Sequence, residues 1–252
     1  MTMVISPLED MLATENVPDE IQSNLRQMHK SSTRILSLIN QLLDMRKYDE
    51  GQMQLHFAET DLINFLMGPF ELYTQTAEKR NINFRFNHPM VEQPVWIDRD
   101  SIDKVMMNLL SNAFKYTPDD GTIEIDVEVG TDDHESGPLH NYVEVSVADT
   151  GIGLDKDDVN RVFQRFYRVD NKVTSVTMGM GIGLNYSQML IRMHHGMIKA
   201  ENRTDGQSGS VFSFRLPLGN SHIAPEDIVE GDQVARPQLE RNRASLDYDE
   251  PE

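Results

Sequence analysis

The sequence predicts an α+β protein: a two-layer α/β sandwich preceded by an antiparallel helical hairpin. Three observations predict it. Apolar residues recur at heptad spacing as far as Leu42, the pattern changes after Asp49, Glu50 and Gly51 to short alternating runs, and at least three helical stretches interrupt those runs. Strands and helices mixed in this way pack as helices over one face of a sheet. The expected division is a hairpin over residues 1–50, a sandwich over 51–219 and a tail over 220–252.

Composition sets the outer bounds. A chain of 252 residues with 38% hydrophobic and 25% charged content can bury one large or two modest cores. It has no cysteine, which excludes disulfides and thiolate metal sites. No apolar run approaches the length of a membrane span, so a soluble chain without direct membrane contact is expected. The formal charge of −18 opposes nucleic acid and anionic membrane surfaces, so a phosphate ligand has to be captured locally.

In the hairpin, Ile21, Leu25, Met28, Ile35, Ile39 and Leu42 form the seam, with Ser32 at the one missing step. Leu36, Leu38 and Leu43 widen the stripe beyond a two-stranded coil, which suits a bundle. Val4, Ile5, Leu8, Met11 and Leu12 make a shorter amphipathic segment ahead of it, with Pro7 placed to kink it. Two such helices alone have little core, so residues 2–48 are expected to dimerise as a four-helix bundle; folding back onto the same chain is the alternative.

Past Gly51, Gln54 to Glu59 reads as a strand, and Asp61 can cap a helix reaching Lys79. Ile82 to Phe86 and Val95 to Ile97 read as strands, with Asp98 or Asp100 capping the next helix. Thr122 to Val129 and Tyr142 to Ala148 alternate across a polar loop. Helices are expected near Asp155 to Phe163 and Gly183 to His194, then closing strands at Met197 to Glu201 and Ser210 to Leu216. From Asn220 the chain carries nine acidic and three basic residues with Pro225, Pro237 and Pro251, so it is expected to be mostly disordered.

The chemistry starts at NLLSNAFKYT, residues 108–117. Asn108, Asn112 and Lys115 fall at i, i+4 and i+7 and share a helix face, with Tyr116 one step on. That face offers amide oxygens to a hard cation, an ammonium to phosphate and a ring to a base; magnesium in nucleotide sites takes few protein oxygens, so one Asn suffices. A helix with a polar stripe over Val105, Leu109, Leu110 and Phe114 reads the same way. Further on, Asp149 ends a strand before a turn holding Gly151 and Gly153, where a carboxylate can accept from the exocyclic amine of adenine. Gly179, Gly181 and Gly183 precede a helix whose free amides suit phosphate, although such a run also serves flexible loops. Arg165 and Arg168 are candidate phosphate contacts or surface ion pairs.

The order NLLSNAFKYT, DTGIG, FQRFYR, GMGIGL and GSVFSF resembles the N, first glycine, F, second glycine and third glycine boxes of sensor histidine kinases, over about residues 54–218. The resemblance implies the Bergerat fold of the GHKL superfamily binding ATP and Mg2+, with Phe163 to Gly183 as a mobile lid. It implies Asn112 as magnesium ligand, Asn108 beside it near the phosphates, Lys115 and Tyr116 as nucleotide contacts and Asp149 as adenine selector. Asn108 and Lys115 are the expected catalytic pair, and Gly151, Gly153, Gly179, Gly181, Gly183 and Leu184 match the glycine boxes. Met180 stands where threonine or serine is common.

The hairpin resembles the family's dimerisation and phosphoacceptor helices, with a departure. Thr2 continues the acceptor motif, so the phosphorylated histidine is expected just upstream of Met1. His134 is followed by Glu135, as in that motif, but lies in an acidic loop; His29 is expected on the surface or in the bundle. His194 and His195 are expected to place partial positive charge at a helix C-terminus. The resemblance implies a homodimer and a response-regulator receiver domain as partners, the latter possibly in the same longer hybrid protein. It also implies the cytoplasmic portion of a membrane-bound bacterial sensor. A non-catalytic interaction module and another GHKL-type ATPase remain the alternatives.

Overall fold

A computed structural model describes residues 2–12, 18–168 and 180–229. The described residues to Met53 form one compact unit and those from Gln54 a second. Among them no helix is long and apolar enough to cross a membrane.

The first unit contains α1 (Thr2–Leu12) and α2 (Asp19–Asp49), and α1 runs through Pro7 as one helix. The seam faces outward: Ile21, Met28, Ile35, Ile39 and Leu42 are all exposed. Of the two places expected for His29, the bundle is the one found: it is buried in the hairpin, its Nε2 lying 3.3 Å from Glu9 Oε1 across to α1.

The second unit is the sandwich. In chain order it holds β1 (Ala58–Asp61), α3 (Leu62–Lys79), β2 (Asn83–Asn87), β3 (Pro94–Ile97), α4 (Arg99–Tyr116) and β4 (Thr122–Thr131). It continues with β5 (Asn141–Asp149), α5 (Gly183–Met193), β6 (Met197–Asn202) and β7 (Ser210–Pro217). A five-stranded sheet has the order β2-β4-β5-β7-β6, parallel only between β2 and β4, and β1 pairs with β3 in a separate ribbon. Period-2 alternation sends Ile123, Ile125, Val127, Val143, Val145, Val147, Phe212, Phe214 and Leu216 into the core. They meet the apolar stripe of α4, Ile102, Val105, Met106, Leu109 and Leu110, which is fully buried.

The caps follow the sequence. Asp61 Oδ1 accepts from Ile63 N at 3.1 Å and Asp98 Oδ1 from Ser101 N at 2.9 Å, each satisfying an amide of the first helical turn. Asp98, not Asp100, therefore starts the asparagine helix.

Three expectations need correcting. The strand expected from Gln54 begins at Ala58, with Phe57 joined to Ile228 by an isolated bridge. No helix forms over 155–163: Asp158 N bonds Asp155 O at 2.9 Å, Arg161 N bonds Asp158 O at 2.8 Å, and the segment is a chain of turns. Asp158 is buried and accepts from Tyr167 Oη, and aspartates favour such local alternatives to a helix.

The described part of the tail, residues 220–229, packs against the sandwich. Phe57 N donates to Asp227 O at 2.8 Å, Val229 N to Phe57 O at 2.9 Å, and Ile223 is buried. These apolar residues lie among acidic ones, and the local composition concealed them.

The third correction concerns His194, which is buried and neutral. Its Nδ1 lies 2.8 Å from Leu190 O and its Nε2 accepts from Asp98 N at 3.1 Å, which fixes the tautomer. Burial holds its pKa down to about 4, against the opposing Leu190 carbonyl and Asp98 charge and with the neighbouring His195 adding to the fall. A depressed histidine contributes stability above its unfolded pKa of about 6.5 that is lost as pH falls towards 4. His194→Gln keeps a donor and an acceptor but cannot titrate. Its unfolding free energy is expected to fall about 3 kcal/mol less than the parent's between pH 7 and 4. Urea melts across that range measure the difference.

Candidate functional site

The site is built where α4, the β5 turn and the start of α5 converge. Asn108 on α4 ties the two helices together: its Nδ2 donates to Ser187 Oγ on α5 at 2.9 Å. Its Oδ1 lies against Gly183, where an added Cβ would come within 2.3 Å of it. Glycine at the first position of α5 therefore lets the amide of Asn108 lie across the positive end of that helix. One turn on, Asn112 is half-buried and has no side-chain hydrogen bond among the described residues. Lys115 has its Nζ 5.0 Å from the Tyr116 ring centroid and makes no ion pair among the described residues. An amide and an ammonium without such partners among the described residues thus share one helix face.

At the far end of β5, Asp149 is buried. Its Oδ1 accepts from Gly151 N at 2.8 Å and, at 3.5 Å, from Ser210 N, while its Oδ2 accepts from Ser210 Oγ at 2.5 Å. A carboxylate has about four acceptor positions, so one is left for an outside donor. Burial pushes the Asp149 carboxyl above the ordinary carboxylate range, opposed by the Ser210 hydroxyl, the Gly151 and Ser210 amides and the charge of Arg203.

The turn after Asp149 is held from three sides. Thr150 Oγ1 accepts from Thr122 N at 2.8 Å, Ser208 Oγ donates to Gly151 O at 2.8 Å, and the Asn202 amide grips both backbone groups of Leu154 at 2.6 and 2.7 Å. Gly151 is packed so tightly that a Cβ would lie 2.5 Å from Tyr116 O. The α4 terminus and the Asp149 turn are therefore in direct contact.

Of the glycine run before α5, Gly181 and Gly183 are placed, and Gly179 lies outside the described residues. Gly181 has φ +68° and accepts from Phe166 N at 2.9 Å, which joins the F-box turn to the start of α5. Asn185 Nδ2 adds a bond to Phe163 O at 2.7 Å. Arg165 and Arg168 sit exposed on that turn, and Leu184 lies half-buried in the first turn of α5. Gly153 has φ +71°, with Asn202 Oδ1 3.1 Å from where its Cβ would be.

The structure thus gathers Asn108 with Gly183, and Tyr116 with Gly151 and Asp149, from separate stretches of sequence. Ser187, Asn202, Ser208 and Ser210 were not anticipated. Ser187 stands one helical turn past Gly183, a spacing that could have signalled it; the other three depend on which β6 and β7 residues oppose the Asp149 turn.

Comparison with known proteins finds matches to the second unit. Residues 97–220 match the family described as histidine kinase-, DNA gyrase B-, and HSP90-like ATPase. The chain is 34% identical over 194 residues to the non-motile and phage-resistance protein of Caulobacter vibrioides, covering 77% of this chain and 22% of that protein. The catalytic domain of histidine kinase ThkA, solved nucleotide-free, superposes with a TM-score of 0.53 at 29% identity, over 65% of this chain and 96% of that domain. ThkA solved in complex with the response regulator protein TrrA shares the fold, with a TM-score of 0.58 at 23% identity, over 86% of this chain and 57% of that one. The chain spans 16% to 22% of the length of the first curated relatives.

Proposed function

Because this chain belongs to the histidine kinase-, DNA gyrase B- and HSP90-like ATPases, as a homologue of sensor histidine kinases, we propose that it binds Mg-ATP as the kinase core of a two-component phosphorelay. The observation that carries the reading is the shared face of α4. Asn112 and Lys115 there have no side-chain hydrogen bond or ion pair among the described residues, on the helix whose Asn108 lies against the start of α5 and whose end touches the turn after the buried Asp149.

Asn112 is the residue to hold magnesium, which when bound would neutralise charge on the triphosphate. Asn108 sits against the start of α5, where free amides suit a phosphate oxygen, and Lys115 supplies a second cation. These two are the groups we assign to the transferred phosphoryl group, since such transfers depend on positioning and charge neutralisation. Asp149 selects adenine by accepting from its exocyclic amine, with Tyr116 against the base. Gly151, Gly153, Gly181, Gly183 and Leu184 shape the walls, and Gly179, Arg165 and Arg168 belong to the lid.

The phosphoryl group then passes to a histidine and on to an aspartate of a response-regulator receiver domain, as the relation to sensor kinases supports. The exposed seam of α2 supports homodimerisation of the hairpin, because a row of exposed apolar residues at heptad spacing is what a second copy covers. A membrane-bound bacterial sensor with this portion in the cytoplasm completes the reading.

Titration calorimetry tests it. Mg-ATP is expected to bind and Mg-GTP at least about tenfold more weakly, because guanine places a carbonyl where Asp149 requires a donor. Equal affinity for both overturns the role of Asp149. No heat with either overturns the nucleotide reading and favours an interaction module. Labelled γ-phosphate is expected to leave the histidines of this chain unlabelled, since His134 lies in an irregular loop and His29 is buried against α1.

A further inference from the structure

We propose that Arg80, outside every motif above, is a positioning residue for the nucleotide contacts of α4. The last carbonyls of a helix have no intrahelical donors and need outside partners. At the end of α4 one side chain from the α3–β2 turn supplies them: Arg80 Nη1 donates to Phe114 O at 2.5 Å and Nη2 to Thr117 O at 2.6 Å. Its Nε is anchored to Asp119 Oδ1 at 2.8 Å, and its backbone oxygen accepts from Asp120 N at 3.2 Å. Asn81, at φ +52°, adds a bond from its Nδ2 to Asp120 Oδ1 at 2.6 Å. The planar guanidinium reaches two carbonyls and a carboxylate at once, which a lysine ammonium on one flexible stem cannot match.

The consequence falls on Lys115. A basic residue in the last turn of a helix is the ordinary candidate to fold back onto those carbonyls. With Arg80 in place it does not, and its ammonium stays beside the Tyr116 ring. The same cap fixes the height of Tyr116 O against Gly151, where a Cβ would have only 2.5 Å. Arg80 thus holds the α4 terminus in the one register that presents Lys115 to phosphate.

This inference rests on the Mg-ATP reading, and the test separates the two. Calorimetry with Mg-ATP and with adenosine is run on the parent, Arg80→Met, Lys115→Ala and the double variant, well below their melting temperatures. Arg80→Met is expected to weaken Mg-ATP at least about tenfold and adenosine less than about threefold, and the Mg-ATP loss is expected to disappear in the Lys115→Ala background. Arg80→Lys, which keeps the charge and one donor, is expected to give an intermediate loss and serves if the methionine variant does not fold. Parent-like Mg-ATP affinity in either Arg80 variant overturns the proposal. So does an equal loss for both ligands, or a loss that persists without Lys115, since a merely structural cap acts in that way. If the parent binds no Mg-ATP, the nucleotide reading itself has failed.

Discussion

Asn112→Ala is expected to abolish stabilisation by Mg-ATP while leaving the ligand-free protein as stable as its parent. At a ligand concentration one hundred times Kd, the parent gains about 2.7 kcal/mol. For a unit of this size that corresponds to a rise of roughly 5 to 10 °C in Tm. The variant is expected to rise by less than about 1 °C at the same concentration. Asn112 is half-buried without a side-chain partner among the described residues, so its removal breaks no hydrogen bond there, and alanine is the better helix former. Asn112→Asp retains an oxygen for a hard cation and is expected to fall between the two. A full thermal shift in Asn112→Ala would remove this residue from the site and with it the magnesium assignment.

Gly209→Ala is expected to be among the most damaging single substitutions in the sandwich. Its φ of +135° is a backbone conformation open to glycine alone, and an added Cβ would stand 1.9 Å from Asp149 O. Neither group can withdraw, because Asp149 is held by Ser210 on one side and paired to Ile123 on the other. The loss is expected to be on the order of 3 to 5 kcal/mol, and nucleotide affinity should fall with it. Gly206 supplies the control. It lies on the same loop at φ +84° with nothing within 4 Å of a Cβ, so Gly206→Ala meets conformational strain alone. That substitution is expected to cost about 1 kcal/mol. Comparable losses in the two variants, read from denaturant midpoints, would refute the claim that close approach to Asp149 is what requires glycine at 209.

The sequence carried a great deal of this protein because its signals are local. Alternation marks Thr122 to Val129 and Tyr142 to Ala148, Asp61 and the pair Asp98 and Asp100 announce two helices, and the α4 face follows from the period of a helix. Each depends on residues within a turn or two of one another. The segment at 155–163 was misread for the same reason. Val159, Val162 and Phe163 have helical spacing, but Asp158 is drawn to Tyr167 and the backbone closes turns instead.

By itself, then, the sequence determined most of the elements and their order, the kinase-like boxes and which helix face bears Asn108, Asn112 and Lys115. The tertiary structure alone decided that Ser210, 61 residues beyond Asp149, donates to its carboxylate, and that Ser187, 79 residues beyond Asn108, receives its amide. It also decided that Arg80 caps a helix ending 36 residues later and that Phe57 pairs with Asp227 and Val229. Such contacts are set by sheet register and helix packing. A one-residue slip in β7 would turn Ser210 to the opposite face without altering the local pattern by which the strand is recognised.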